Sequence, residues 1–545
     1  MKGILTKTAC AVLGGIWLAA AAGCGAQQPA EQTSQGAAQT TAAPEATAPA
    51  AVTGLAKTDS ARWRYNEEYA FYYQLGVAYC EKPADTSYEQ LSVFVPAAYV
   101  SAEPNGDGTF TCEMNKNGAV AGHTAADAPI VMPAFTEGFA AAPAMTEEML
   151  NGYRSFTEAL AECTAQGFVY AYAGCRGIDE GAPLGAADLK AAVRYLRYCD
   201  DVLPGDAERI FVCGMSGGGA IASVLGASGD CPLYAPYLDE IGAVQGVSDA
   251  VAGVMAWCPV TDLDTANAGY EWMMGCTRQG RTDEWNQISD KLANAYAAYV
   301  NSAGFTDENG KPLTLESSDV GIYQAGSYYD HIKGVIERSL NNYLSDNKLT
   351  GSAAQAYIDG LNGDKPWVTY DAGANTAAVG SVADFVRVCK PASVLPVAFD
   401  WPGSENTLFG RSGTRGAHFD KTLTDILTEL GSSLAAEYTG DMSLTDARGA
   451  SVEQRVHMYA PLYYLLKSSA GCGTSTPARY WRIRTGIEQP TTSLTTEVNM
   501  ALALQHCDGV ESVDFETVWK QGHERAERGG DSNENFIRWI NDCIR

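Results

Sequence analysis

The sequence predicts an α/β protein: a mostly parallel sheet flanked by helices, with one large, mainly helical insertion late in the chain. Three observations carry that reading. Short apolar runs of strand type recur with helical patterns between them, as repeated βαβ units require. One of these runs breaks into a glycine-rich turn and continues at once as an apolar helix. Over two hundred residues of mostly helical pattern then separate the run at 253–258 from the next at 480–484, too many for a plain connection within a sheet.

The chain opens with Lys2 and Lys7 around an apolar stretch over 9–22 that ends in Ala21-Ala22-Gly23-Cys24. A basic start, an apolar run and small residues before a cleavage point make a secretory signal. Small residues leading into a cysteine resemble a bacterial lipobox, which implies cleavage before Cys24 and a lipid on its sulfur. The expected location is outside the cell, tethered to the bacterial membrane through that lipid and facing outward. No later stretch is long and apolar enough to span a bilayer. From 25 to about 56 the chain is Ala, Gln, Thr and Pro with almost no large apolar residue, the composition of a disordered spacer. Globular sequence begins near Arg62-Trp63.

Strand signals follow at 91–95, 128–132 and 167–172, then a helical pattern at 188–197. The apolar run at 209–213 leads into Gly214-Met215-Ser216-Gly217-Gly218, and residues 220–225 supply an apolar helix behind it. Strand, Gly-x-Ser-x-Gly and helix in that order form the nucleophile elbow of the α/β-hydrolases. The serine sits on a sharp, strained turn, and side chains at the flanking positions would collide with the neighbouring strand or helix. Further strands are expected at 253–258, 480–484 and 510–515, and helices at 289–300 and 352–361 within the insertion. The resulting division is a signal at 1–23, a lipidated cysteine and linker at 24–60, hydrolase core at 61–260 and 461–545, and a lid at 261–460.

Net charge is −28, from 37 basic and 65 acidic residues, which argues against nucleic-acid partners and against an electrostatic grip on anionic lipid. Apart from Cys10 and Cys24, thirteen cysteines remain, without Cys-x-x-Cys or Cys/His metal spacing. No metal and no cofactor are expected. The implied partner is a small-molecule ester, and the sequence specifies neither disulfide pairing nor oligomeric state.

A serine nucleophile needs a positioned base, and only six histidines are available. His523 follows the last strand, where the base of this fold sits, and serine-before-histidine is the fold's chain order. The acid belongs after the penultimate strand, in the stretch 485–492, whose only carboxylate is Glu488. The Gly217 N–H is the expected oxyanion donor. A second donor is expected from Thr136 or Glu137, in the loop after the strand ending at Met132.

These residues sit within longer strings that resemble the bacterial tannase-like (subtype B) esterases. The strings are Asp188-Leu-Lys-Ala-Ala-Val-Arg-Tyr-Leu-Arg197, the elbow with Gly219, Pro236-Tyr-Leu-Asp-Glu-Ile-Gly242, Cys258-Pro-Val-Thr-Asp-Leu-Asp264, Ser404-Glu-Asn-Thr-Leu-Phe-Gly410 and Arg484-Thr-Gly486. The resemblance runs from about residue 65 onward and implies ester hydrolysis through a serine acyl-enzyme. It further implies that Lys390 and Glu405, as the family's lid lysine and glutamate, hold the hydroxyls of a phenolic acyl group. One departure stands out. The family carries aspartates after Arg484-x-Gly486, where this chain has Gln489-Pro-Thr491. Either Glu488 takes over the acid's role or the triad is incomplete.

The reading is therefore an exported serine carboxylic ester hydrolase for phenolic or aromatic-acid esters. Two alternatives stand beside it. One is a prolyl-oligopeptidase-like peptidase, which shares the elbow. The other is a surface binding protein with a decayed triad, for which the missing aspartate is the support.

Overall fold

The computed structural model describes residues 51–278, 282–392, 404–410 and 417–545. The signal segment and Cys24 lie outside the described residues.

Nine strands form one sheet: β1 (Arg64–Asn66), β2 (Phe71–Ala78), β3 (Gln90–Pro96), β4 (Ile130–Pro133), β5 (Val169–Ala173), β6 (Ile210–Met215), β7 (Gly253–Trp257), β8 (Tyr480–Gly486) and β9 (Ser512–Val518). Their order across the sheet is β1-β2-β3-β5-β4-β6-β7-β8-β9. The six strands from β4 to β9 pair in parallel, and β1, β2 and β3 extend one edge antiparallel. This is the mostly parallel sheet of an α/β-hydrolase fold. Every residue of β5 and β7 is buried, as expected of strands covered on both faces.

Helices α1 (Arg154–Ala165), α2 (Leu184–Tyr198), α3 (Gly217–Ala227), α4 (Val382–Cys389), α5 (Leu494–Leu504) and α6 (Ser532–Cys543) matter most for the site. Successive side chains of a strand point to opposite faces, so β6 sends Ile210 and Val212 into the core under α2, α3 and α5. It sends Phe211 and Cys213 into the core under α1 and α6.

Of the antiparallel edge, β3 matches the strand expected at 91–95, whereas β1 and β2 were not expected from sequence. In β2 the register against β3 shifts between Gln74 and Val77, around Gly76 at φ 71°, so no unbroken alternation announces the strand. The spacer also ends sooner than expected. Val52 pairs with Gln245, and the hydroxyls of Tyr198 and Tyr195 donate to the carbonyls of Leu55 and Ala56 at 3.1 and 3.0 Å. Residues 52–56 are therefore docked on the globular body.

Between β7 and β8 the described residues hold ten α-helices and two hairpins, Glu316–Ser318 with Gly321–Ala325 and Val368–Asp371 with Thr376–Val379. The helix Asp283–Ala303 shows how this insertion folds: Ile288, Leu292, Tyr296 and Val300 recur every fourth residue and are buried. The hairpins escape a sequence reading because their strands are short and largely exposed or half-buried.

Candidate active site

Ser216 stands at the junction of β6 and α3 with φ 59° and ψ −122°, a conformation that costs a non-glycine residue energy and must be held by its surroundings. Its N–H donates to the Trp257 carbonyl at 3.0 Å, and its own carbonyl accepts from Ala220 and Val260. The flanking glycines answer to close backbone approach. A Cβ on Gly214 would lie 2.3 Å from the Gly218 carbonyl oxygen, and one on Gly218 would lie 2.3 Å from that of Ala134.

His523 sits in the loop after β9, and its Nε2 lies 2.9 Å from Ser216 Oγ. Its Nδ1 lies 2.9 Å from Gln489 Oε1. An amide oxygen only accepts, so Nδ1 carries the proton and Nε2 accepts from the serine hydroxyl. Burial, reinforced by the charge of Lys390, holds the imidazole below its ordinary value of 6.5.

Gln489, not Glu488, thus occupies the acid's position, and the expectation for Glu488 is corrected. The reason is the turn after β8. Gln489 N–H donates back to the Gly486 carbonyl, while Ile487 N–H donates to the Val518 carbonyl at the end of β9 and Glu488 N–H to the Gln521 carbonyl of the histidine loop. This lacing leaves the Gln489 side chain fully buried against the imidazole and Glu488 half-buried to one side. Gly486 permits it, since a Cβ there would lie 2.0 Å from the Gly522 carbonyl oxygen. Burial raises the Glu488 carboxyl, opposed by Lys520 and Lys390.

Gly217 opens α3, so its N–H has no partner within the helix. The loop of Thr136 and Glu137 lies directly on it: a Cβ on Gly217 would come 2.6 Å from the Thr136 carbonyl oxygen. Thr136 is buried and Glu137 is exposed, at the start of the short turn Glu137–Phe139. An oxyanion hole needs two such N–H groups converging beside Ser216, and this loop is the one that lies against Gly217.

The BD-FAE family model matches residues 145–318, which include the elbow. The tannin acyl hydrolase of Lactobacillus plantarum superposes with a TM-score of 0.67 at 25% identity, covering 87% of this chain and 94% of that one. The Fusobacterium nucleatum tannase gives 0.68 at 27% identity, covering 87% and 95%. A tannin acyl hydrolase in complex with ethyl gallate gives 0.68 at 26% identity, covering 87% and 94%. No curated protein sequence matches the chain. The chain is similar to these bacterial tannases over most of its length and shares their α/β-hydrolase fold.

In this tannase-like frame the insertion brings Lys390 to Gln489 and sets the helix of Glu405 against the Glu137–Phe139 turn. Lys390 follows α4 and is fully buried, and its ammonium donates to the backbone carbonyl of Gln489. Burial brings it down to about 8, against the pull of Glu497, Cys258 and Glu488. Glu405, also buried, lies on the short helix Ser404–Leu408, which packs against the turn Glu137–Phe139.

Four residues beyond the expected set complete the corner. Gln489 Nε2 donates to Glu497 Oε1 at 2.9 Å, and also to the hydroxyls of Thr485 and Thr492. Thr485, Thr492 and Glu497 are buried with it. Glu497 reads in sequence as an ordinary residue of an apolar helix. Its one signal is an acid in the first turn of α5, where the helix dipole favours negative charge.

Proposed function

We propose that the protein is a serine carboxylic ester hydrolase acting on esters of phenolic or aromatic acids. The single observation that carries the reading is the 2.9 Å contact of His523 Nε2 with an elbow serine. In this reading Ser216 Oγ attacks the ester carbonyl while His523 takes its proton. The Gly217 N–H, with one from Thr136 or Glu137, holds the oxyanion. Collapse expels the alcohol, which takes the proton from His523 and leaves an acyl-serine. Water, giving a proton to His523, then attacks that acyl group, and collapse releases the acid as His523 returns the proton to Ser216 Oγ. Lys390 and Glu405 hydrogen-bond ring hydroxyls of the acyl group. Tannin acyl hydrolase complexes with ethyl gallate and 3,4-dihydroxybenzoate support that choice of acyl group.

The test is turnover of p-nitrophenyl acetate, methyl gallate and methyl ferulate by the full chain, with fluorophosphonate labelling of Ser216. Turnover lost with Ser216→Ala is the expected result. Folded protein that binds these phenols, hydrolyses none of the esters and resists the probe would overturn the reading in favour of a binding protein. Export and lipid attachment at Cys24 belong to the same proposal. Membrane association lost in Cys24→Ala would support them, and unchanged fractionation would sink them.

A further inference from the structure

The proposed chemistry needs a group that decides which nitrogen of His523 carries the proton. A carboxylate decides it without help, because it can only accept. A glutamine does not, because turning its amide over exchanges acceptor for donor. Presented with an NH₂ group, the imidazole would accept at Nδ1, carry its proton on Nε2, and have nothing with which to deprotonate Ser216.

The far end of the amide removes the ambiguity. Gln489 Nε2 faces Glu497 Oε1 at 2.9 Å and Thr485 Oγ1 at 3.2 Å, and also bonds Thr492 Oγ1. Thr492 donates its hydroxyl hydrogen to the same Glu497 oxygen at 2.9 Å, and Thr485 directs its own to that oxygen at 3.1 Å, with Cys258 Sγ as a second acceptor at 3.6 Å. Both therefore meet the amide with lone pairs. The amide end of Gln489 sits in a nest of three acceptors that Glu497 organises. Turned over, its oxygen would face the Glu497 oxygen directly, and the threonine hydroxyls could meet it only by giving up their bonds to Glu497, in a corner where every participant is fully buried.

We propose that Glu497 is a positioning residue for the hydrolytic centre: it fixes Gln489 with its oxygen toward His523, so that the imidazole keeps its proton on Nδ1 and offers Nε2 to Ser216. The inference rests on the serine-hydrolase reading for its consequence, but the orientation itself belongs to the resting protein. The neighbouring charges support an accepting Glu497. It lies in the first turn of α5. Burial raises its carboxyl above the ordinary value, and Lys390 and the two threonine hydroxyls oppose that push without cancelling it.

The experiment has a substrate-free arm and a kinetic arm. With the full chain labelled with ¹⁵N-histidine, the imidazole nitrogen shifts report the tautomer of His523, assigned among six histidines by loss of its signals in His523→Gln. Wild type should show Nδ1–H. Glu497→Met should shift the ring toward Nε2–H and lower kcat by about 100-fold or more, approaching the ~10⁴-fold that a wrong-tautomer histidine costs a serine protease. KM should change little. The exchange variant Gln489→Glu/Glu497→Gln puts an obligate acceptor against the ring and should restore both tautomer and kcat, which a purely structural role for Glu497 would not allow.

A wild-type His523 protonated at Nε2 overturns the proposal whatever the enzyme acts on, as does a Glu497→Met protein with unchanged tautomer and kcat. If Glu497→Met fails to fold, the wild-type tautomer and the exchange variant decide. Absence of ester turnover in wild type, with Nδ1–H observed, would count against the esterase reading alone.

Discussion

Lys190 and Lys390 are both fully buried, yet they are held in opposite ways. Lys190, on α2, makes a 2.7 Å ion pair with Asp249 and lies over the ring of Tyr234. Burial alone would raise the Asp249 carboxyl, but Lys190 and Arg194 outweigh it and hold the group below its ordinary value. Lys390 instead donates to the neutral carbonyl of Gln489, its compensation is indirect, and burial brings it down to about 8. The scaffold lysine is neutralised at contact, whereas the lysine at the candidate centre is kept near ionisation, where a ligand can tip it.

The contrast should survive four tests, in falling order of effect. Ser216→Ala should reduce kcat by about 10⁶-fold while leaving the melting temperature close to wild type. Ester turnover that persists in a pure Ser216→Ala preparation would break the comparison at its root. Lys190→Met should do the reverse. It leaves Asp249 buried with one fewer partner, so urea unfolding should show a loss of about 3–5 kcal/mol. The kcat of the folded fraction should stay within twofold, and an unchanged urea midpoint would mean that the scaffold pair contributes nothing.

Lys390→Met should sharpen the difference. KM for methyl gallate should rise about tenfold, with p-nitrophenyl acetate little affected, since a charge-assisted hydrogen bond to one ring hydroxyl is worth about 1.5–3 kcal/mol. Stability linkage gives a second readout. Lys390 loses its proton near pH 8 when folded and near the ordinary 10.5 when unfolded. Between those values the unfolded chain binds more protons, so wild-type stability should rise with pH there, and Lys390→Met should lack that rise. The smallest effect is the acid limb of kcat/KM. His523 must be neutral to act as base, and its depressed pKa should put the midpoint of that limb below pH 6.5. A midpoint above 6.5 would mean that a negative charge dominates the imidazole after all.

What was legible in the sequence follows the same division. The parallel strands, the elbow and the Ser216–His523 pairing could be read because backbone demands write themselves in residue types. Glycine is required where a Cβ would strike a carbonyl, and buried parallel strands leave continuous apolar runs. The acid side could not be read. One residue of turn phase after β8 separates Glu488 from Gln489, and the only carboxylate in the loop is the wrong one. Glu497 is invisible to any local pattern, because its role appears only when α5 packs against the loop that precedes it. The edge strand β2 was lost for a related reason, a bulge at Gly76 that breaks alternation without looking like a turn.

The contact between Gln489 and Glu497 also constrains how such a centre can change by descent. Glutamine and glutamate codons differ by a single base, so a carboxylate at 489 is always one mutation away. Taken alone, that mutation sets two carboxylates in one buried nest, where like charges oppose each other's ionisation. Glu497→Gln taken alone loosens the amide that His523 leans on. Each step is a loss by itself and the pair together restores what either step loses, so the two positions should be inherited as a unit. Lineages of this fold should carry an acid at one of the two positions and an amide at the other, with mixed intermediates rare.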